Sequence, residues 1–119
     1  MQCNDPCCLI NALQSTPTIA WSGNAFLIIE IAFNPSDKDT IEKTCALIKE
    51  ARRVMGDKML IGAGTVICEE YVVAAYEAGV DFIFSPDTDV DVIRLTKKLG
   101  LVSIPGALTT SECKTAYKN

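Results

Sequence analysis

The sequence predicts an α/β domain in which parallel strands alternate with helices, and three observations carry that expectation. Glycines suited to helix ends stand at Gly56, Gly79 and Gly100, 23 and 21 residues apart. The stretches before them place apolar residues at helical spacing. The stretches after them are short continuous apolar runs, the pattern of strands covered by helices and not of half-exposed antiparallel ones.

The first strand is expected at 26–31, inside the run Leu27-Ile28-Ile29-Glu30-Ile31-Ala32-Phe33. Ser36 or Asp37 can cap a helix over 37–55, with Ile41, Cys45, Ile48, Ala51 and Met55 on one face and Gly56 closing it. Residues 58–61 form a second strand that stops at Gly62. Glu69 and Glu70 then place negative charge at the start of a helix running through Val72, Val73 and Tyr76 to Gly79. A strand at 81–85 leads through an Asp- and Thr-rich turn into a helix carrying Val92, Leu95 and Leu99. After a strand at 101–104 and the pair Pro105-Gly106, Thr109-x-x-Glu112 has the form of a capping box for a last helix ending near Lys118. Doubly wound sheets and (β/α)8 barrels both satisfy this order, and the compact units with short βα loops favour the barrel. A complete barrel takes roughly 200–250 residues. At 119 residues the expected architecture is therefore a partial (β/α)8 barrel over 26–119, behind an irregular segment over 1–25. The cadence puts the next strand just past Asn119.

Composition narrows the chemistry. With 49% hydrophobic and 22% charged residues the chain reads as one soluble globular domain. A net charge of −4 without a basic run argues against nucleic acid as a partner. The apolar stretch 25–29 is far too short to cross a bilayer. The absence of histidine removes Ser-His-Asp and Cys-His catalysis and any His-ligated zinc. Of the six cysteines, Cys3, Cys7 and Cys8 crowd the start, but Cys3-x3-Cys7 is a loose metal spacing with no second pair. The sequence shows no secretory segment and is read as cytoplasmic, with Cys45, Cys68 and Cys113 as small core or near-core residues.

In a parallel α/β sheet, ligands bind at the carboxyl ends of the strands. Four junctions qualify: Glu30 with Ala32 and Asn34, then Gly62-Ala63-Gly64-Thr65, Ser85-Pro86-Asp87, and Pro105-Gly106. Glu30 sits in an apolar strand, where burial would raise its pKa towards the range of a proton shuttle, while a structural ion pair or an edge position explains it equally well. Gly62-Ala63-Gly64-Thr65 allows close backbone approach to a ligand and leaves a hydroxyl beside it. It is no dinucleotide fingerprint, because Ile67 stands where the third glycine would fall.

Together these segments are more specific. Glu30-Ile31-Ala32-Phe33-Asn34, Ile61-Gly62-Ala63-Gly64-Thr65-Val66, the stretch from Ala78 through Ser85-Pro86, and Ile104-Pro105-Gly106-Ala107-Leu108-Thr109 with Glu112 and Ala116 occur in the order and spacing of one family. Over about residues 26–119 the chain resembles the KDPG/KHG aldolases, the 2-dehydro-3-deoxy-phosphogluconate and 4-hydroxy-2-oxoglutarate aldolases. The resemblance implies a (β/α)8 barrel, usually a homotrimer, that cleaves a 2-keto-4-hydroxy acid into pyruvate and an aldehyde through a lysine Schiff base. It implies no metal and no organic cofactor. By position, Glu30 matches the family's proton-transferring glutamate, and Thr65 and Pro86 match residues lining the pyruvate pocket. Gly62, Gly64, Asn34, Pro105 and Gly106 complete the expected substrate-binding set. Asn34 replaces a basic residue common in the family, and Asp87 replaces a glycine.

The strand that would carry the lysine falls beyond Asn119. None of the eight lysines present is expected at the carboxyl end of a strand. Lys58 begins its strand at the opposite face, and Lys38, Lys43, Lys49, Lys97, Lys98, Lys114 and Lys118 are assigned to helices. The resulting expectation is a fragment or truncated form of such an aldolase, inactive alone. Two alternatives stand beside it: a non-catalytic half barrel that binds or assembles through its open sheet edge, and a thiol or metal function for Cys3, Cys7 and Cys8.

Overall fold

The computed structural model describes residues 27–119. The expectations for residues 1–25, with Cys3, Cys7 and Cys8, lie outside the described residues. Strands β1 (Leu27–Ala32), β2 (Met59–Gly64), β3 (Phe82–Ser85) and β4 (Val102–Pro105) form one sheet in the order β1-β2-β3-β4. Each neighbouring pair is parallel. Helices α1 (Thr40–Met55), α2 (Glu69–Ala78) and α3 (Val90–Lys98) make the crossovers, and α4 (Thr110–Lys118) follows β4. This is the expected partial (β/α) barrel architecture, four successive strand-helix units.

Strand alternation divides the sheet into two faces. Ile31, Met59, Ile61, Ala63 and Ile83 point to the helices and are buried against Ile48, Ala51, Val72, Ala75 and Val92. Ile28, Glu30, Leu60, Phe84, Val102 and Ile104 share the opposite, concave face and are exposed. Among the described residues, the sheet is covered on one face only. Gly79 takes φ +98°, where a side chain would be strained, and its N–H reaches the carbonyls of Ala75 and Tyr76 to close α2.

Three local expectations are corrected. The first helix starts at Thr40 with Asp39 at its N-cap, not at 37. The reason is a competing turn: the Asp39 N–H donates to Asp37 Oδ1 at 3.0 Å and the Ser36 N–H to Asn34 Oδ1 at 3.1 Å, so side chains hold 34–39 out of the helix. Lys38 consequently lies in that turn and not on a helix. The second strand runs on to Gly64, because β1 pairs with it as far as Ala32↔Gly64. Cys113 is exposed on α4, while Cys45 and Cys68 are half-buried.

The capping box forms as expected. Glu112 N–H donates to Thr109 Oγ1 at 3.1 Å, and Glu112 Oε2 accepts from the Thr109 N–H at 3.0 Å and the Leu108 N–H at 2.7 Å. The Leu108 and Thr109 N–H groups hold the Glu112 carboxyl below its ordinary value of 4.5. Its contribution to α4 is therefore complete above about pH 4.5 and is lost as pH falls through the lowered folded-state value. Thr109→Ala should weaken α4 by about 1 kcal/mol. Because α4 buries no residue, the effect should appear in hydrogen exchange of its own amides before global unfolding changes. Unchanged α4 exchange would contradict the capping account.

Candidate functional site

The carboxyl ends of the four strands and the loops that follow them form one rim, and close backbone fits assemble it. On the concave face Glu30 is paired in register with Gly62, and Ala32 with Gly64. Glu30 leans diagonally along the strands so that its carboxyl group occupies the space where a Cβ on Gly64 would stand. Gly64 is thus the seat of the Glu30 carboxylate. Gly62 has a parallel role: a Cβ there would overlap the Phe82 ring of its cross-strand partner.

Thr65, next along the chain, takes φ +55°. A β-branched residue pays for that conformation, so it persists only where its neighbours dictate it. Here they do. The Phe33 N–H donates to the Gly64 carbonyl at 3.0 Å and the Val66 N–H to the Phe84 carbonyl at 3.2 Å, pinning the backbone on both sides of Thr65. Phe33 is itself held by stacking on Tyr71, with centroids 4.3 Å apart. The backbone thus fixes Gly64 and Thr65, and the exposed Glu30 carboxylate rests on Gly64 beside them.

Pro86 and Gly106 form the second group. A Cβ on Gly106 would overlap the Pro86 carbonyl. The Gly106 N–H donates to the Ser85 carbonyl at 2.8 Å, and Thr88 Oγ1 donates to the Gly106 carbonyl at 2.6 Å. Pro105 pairs in register with Ser85. Asn34 lies at the same end of β1, but its carbonyl oxygen is engaged in the turn before α1, and its N–H donates to Thr40 Oγ1 at 2.7 Å.

Two expectations need correction or sharpening. Glu30 is exposed, and the burial suggested by its apolar strand is not observed, because none of the described residues covers the face it shares. An open groove of about 410 Å³ runs along that face, lined by Ile28, Leu60, Phe84, Val102 and Ile104 around Glu30, with Asp81 at its far end. Thr65 and Pro86 stand at the rim beyond this groove. Sequence reasoning missed Phe82, which packs over Gly62, and Thr88, which ties two loops. Only the strand register brings Phe82 opposite Gly62, 20 residues earlier in the chain, so the sequence carried no local signal for it.

All eight lysines are exposed, and none lies on a strand. Lys58 occupies the single 3-10 turn before β2, at the opposite end of the strand from the rim. Among the described residues, no group of three or more Cys, Asp or Glu could hold a metal ion. No helix among them is long and apolar enough to cross a membrane.

Residues 23–119 match the family model described as KDPG and KHG aldolase. The chain is 43% identical over 63 residues to the 2-dehydro-3-deoxy-6-phosphogalactonate aldolase of Escherichia coli strain K12, covering 53% of this chain and 31% of that protein. It is 33% identical over 91 residues to a probable enzyme of the same name from Rhizobium meliloti strain 1021, covering 76% of this chain and 40% of that one. A solved structure described as native KDPGal superposes with a TM-score of 0.62 at 26% identity, over 82% of this chain and 57% of its own. The KDPG aldolase of Legionella pneumophila, captured with pyruvate as a covalent carbinolamine, superposes with a TM-score of 0.63 over 76% of this chain and 41% of its own. At 24% identity that likeness speaks to the fold alone. The chain spans about a third to two-fifths of the curated relatives it matches.

Proposed function

The chain belongs to the KDPG and KHG aldolase family, and from that membership we propose that it carries the keto-acid-holding and proton-transferring part of a class I aldolase-type lyase, without the amine that forms the Schiff base. The substrate class is a 2-keto-4-hydroxy acid, cleaved to pyruvate and an aldehyde. The two curated relatives are named for a phosphorylated sugar acid of that class.

The observation that carries the reading is the seating of the Glu30 carboxylate on Gly64, beside the left-handed Thr65. In imine catalysis the C2 carbonyl condenses with a lysine amine and loses water. A base then takes the proton of the C4 hydroxyl, the C3–C4 bond breaks, the aldehyde leaves, and the electron pair passes into an enamine. The enamine takes a proton at C3, and water releases pyruvate. Glu30 is the group for both proton transfers. Thr65 offers a hydroxyl, and Pro86 an apolar wall, for the keto acid.

The amine is the missing part, since an imine-forming lysine must be desolvated enough to be neutral in part near pH 7. Exposed helical and turn lysines do not meet that condition. Titration of the 15N-labelled chain with pyruvate should therefore shift the amides of Gly64, Thr65 and Asp87, with weak affinity. Borohydride added to the same mixture should trap no covalent adduct. Shifts confined to other residues would remove the keto-acid site. A pyruvate-sized mass increment on any lysine would show that the chain supplies its own amine.

A further inference from the structure

We infer that Thr88 is a positioning residue of the keto-acid site: its hydroxyl latches the loop that carries Pro86 to the next loop along the rim and so fixes where the Pro86 wall stands. The inference rests on the keto-acid reading for what Pro86 faces, and on contacts between two loops for the latch itself.

Only Pro86, Asp87, Thr88 and Asp89 separate β3 from α3. Both ends of this stretch are anchored. Ser85 is the last residue of β3 and pairs in register with Pro105. Asp89 caps α3, its Oδ1 accepting from the Asp91 N–H at 2.9 Å and the Val92 N–H at 3.2 Å. Between these anchors Pro86 and Asp87 are exposed and Thr88 is half-buried. The pyrrolidine ring fixes φ of Pro86, but its ψ and both torsions of Asp87 stay soft. A defined position for Pro86 therefore requires a tie from outside the stretch.

Thr88 supplies that tie. A threonine beside a helix start ordinarily uses its hydroxyl on nearby backbone. Here Asp89 already serves the first turn of α3, and the Thr88 hydroxyl donates instead to the Gly106 carbonyl at 2.6 Å, 18 residues along the chain. The Gly106 N–H donates to the Ser85 carbonyl at 2.8 Å, and a Cβ on Gly106 would overlap the Pro86 carbonyl. Gly106 is thus held from both sides of Pro86 and pressed against Pro86 itself. Further links continue along the rim, from the Val66 N–H to the Phe84 carbonyl and from the Phe33 N–H to the Gly64 carbonyl on either side of Thr65. Those are backbone bonds, open to most sequences. Of these links only that of Thr88 is made by a side chain, so it is the one through which a substitution changes the spacing of Thr65 and Pro86 without touching the backbone. Its β-branched side chain holds the hydroxyl in few rotamers.

Pyruvate titration of the full 15N-labelled chain tests the assignment in Thr88→Val, which keeps the shape and removes the hydroxyl, and in Thr88→Ser, which keeps the hydroxyl. Thr88→Val should weaken pyruvate binding about fivefold or more, and Thr88→Ser should stay within about twofold of the unmodified chain. Thr115→Val, which removes a hydroxyl bonded within α4, should leave the affinity unchanged. A latch that served stability alone would lower the urea midpoint of Thr88→Val and leave its pyruvate affinity intact. That result, an equal loss in Thr115→Val, or no recovery in Thr88→Ser would overturn the inference while the keto-acid reading stands. Absence of pyruvate-induced shifts at Gly64, Thr65 and Asp87 in the unmodified chain would overturn both. If Thr88→Val fails to fold, the unmodified chain decides: the Thr88 and Gly106 amides should shift along the same binding curve as Asp87, and silence at both would overturn the positioning role.

Discussion

Gly106→Ala should lower the stability of the domain by about 2–3 kcal/mol, a fall in Tm of roughly 10–20 °C at this chain length. The added Cβ would meet the backbone carbonyl of Pro86, which no rotamer change can move aside. To make room, the loop after β3 must shift away from the loop after β4. That shift stretches the Gly106 N–H bond to the Ser85 carbonyl and the Thr88 hydroxyl bond to the Gly106 carbonyl. Gly64→Ala is the instructive contrast. There the Cβ would meet the far end of the Glu30 side chain, which is exposed and can swing away. Its stability change should stay within about 0.5 kcal/mol, while the carboxylate loses its seat and the pyruvate-induced shifts at Thr65 weaken. Urea unfolding of both variants separates the cases. Equal and small losses would mean that the two loops are not interlocked.

Much of the fold was legible because its signals are local. Gly79 ends a helix because its own φ is positive, and Thr109 with Glu112 starts one through bonds spanning three residues. The start of α1 was not, since Asp37 offers its side chain to the Asp39 N–H and so wins residues that propensity assigns to the helix. At the site, the position of Glu30 on a strand could be read, but its exposure depends on which sheet face the helices cover, a tertiary fact. Thr65 was found by its place after Gly64. Its left-handed backbone runs against β-branched preference and is imposed by bonds to Phe84 and Phe33 from neighbouring strands. The fit of Gly106 against Pro86 has no local trace at all.

Arg52 shows the same limit from the side of stability, and Arg52→Ala should be the most damaging single change, at about 2–4 kcal/mol. In sequence it is one more charge in the last turn of a helix. In the structure its guanidinium gathers the amino-terminal ends of the sheet. Nη1 donates to the carbonyls of Gly56 and Met59 at 2.9 and 3.2 Å, and Nε and Nη2 to that of Gly79 at 3.1 and 2.9 Å. Nη2 also reaches Asp81 Oδ2 at 2.5 Å, which in turn accepts the Ile61 N–H at 2.9 Å. One planar fork thus joins the end of α1, the start of β2 and the turn into β3, with partners up to 29 residues away. Truncation leaves half-buried carbonyls without donors and Asp81 without its cation. Arg52→Lys keeps the charge but cannot span three elements from one nitrogen, so it should recover less than half of the loss. Salt screens the Asp81 pair, which is partly exposed, but not the carbonyl bonds. Most of the cost should therefore persist in molar salt, and a cost that vanished there would reduce Arg52 to an ordinary surface ion pair.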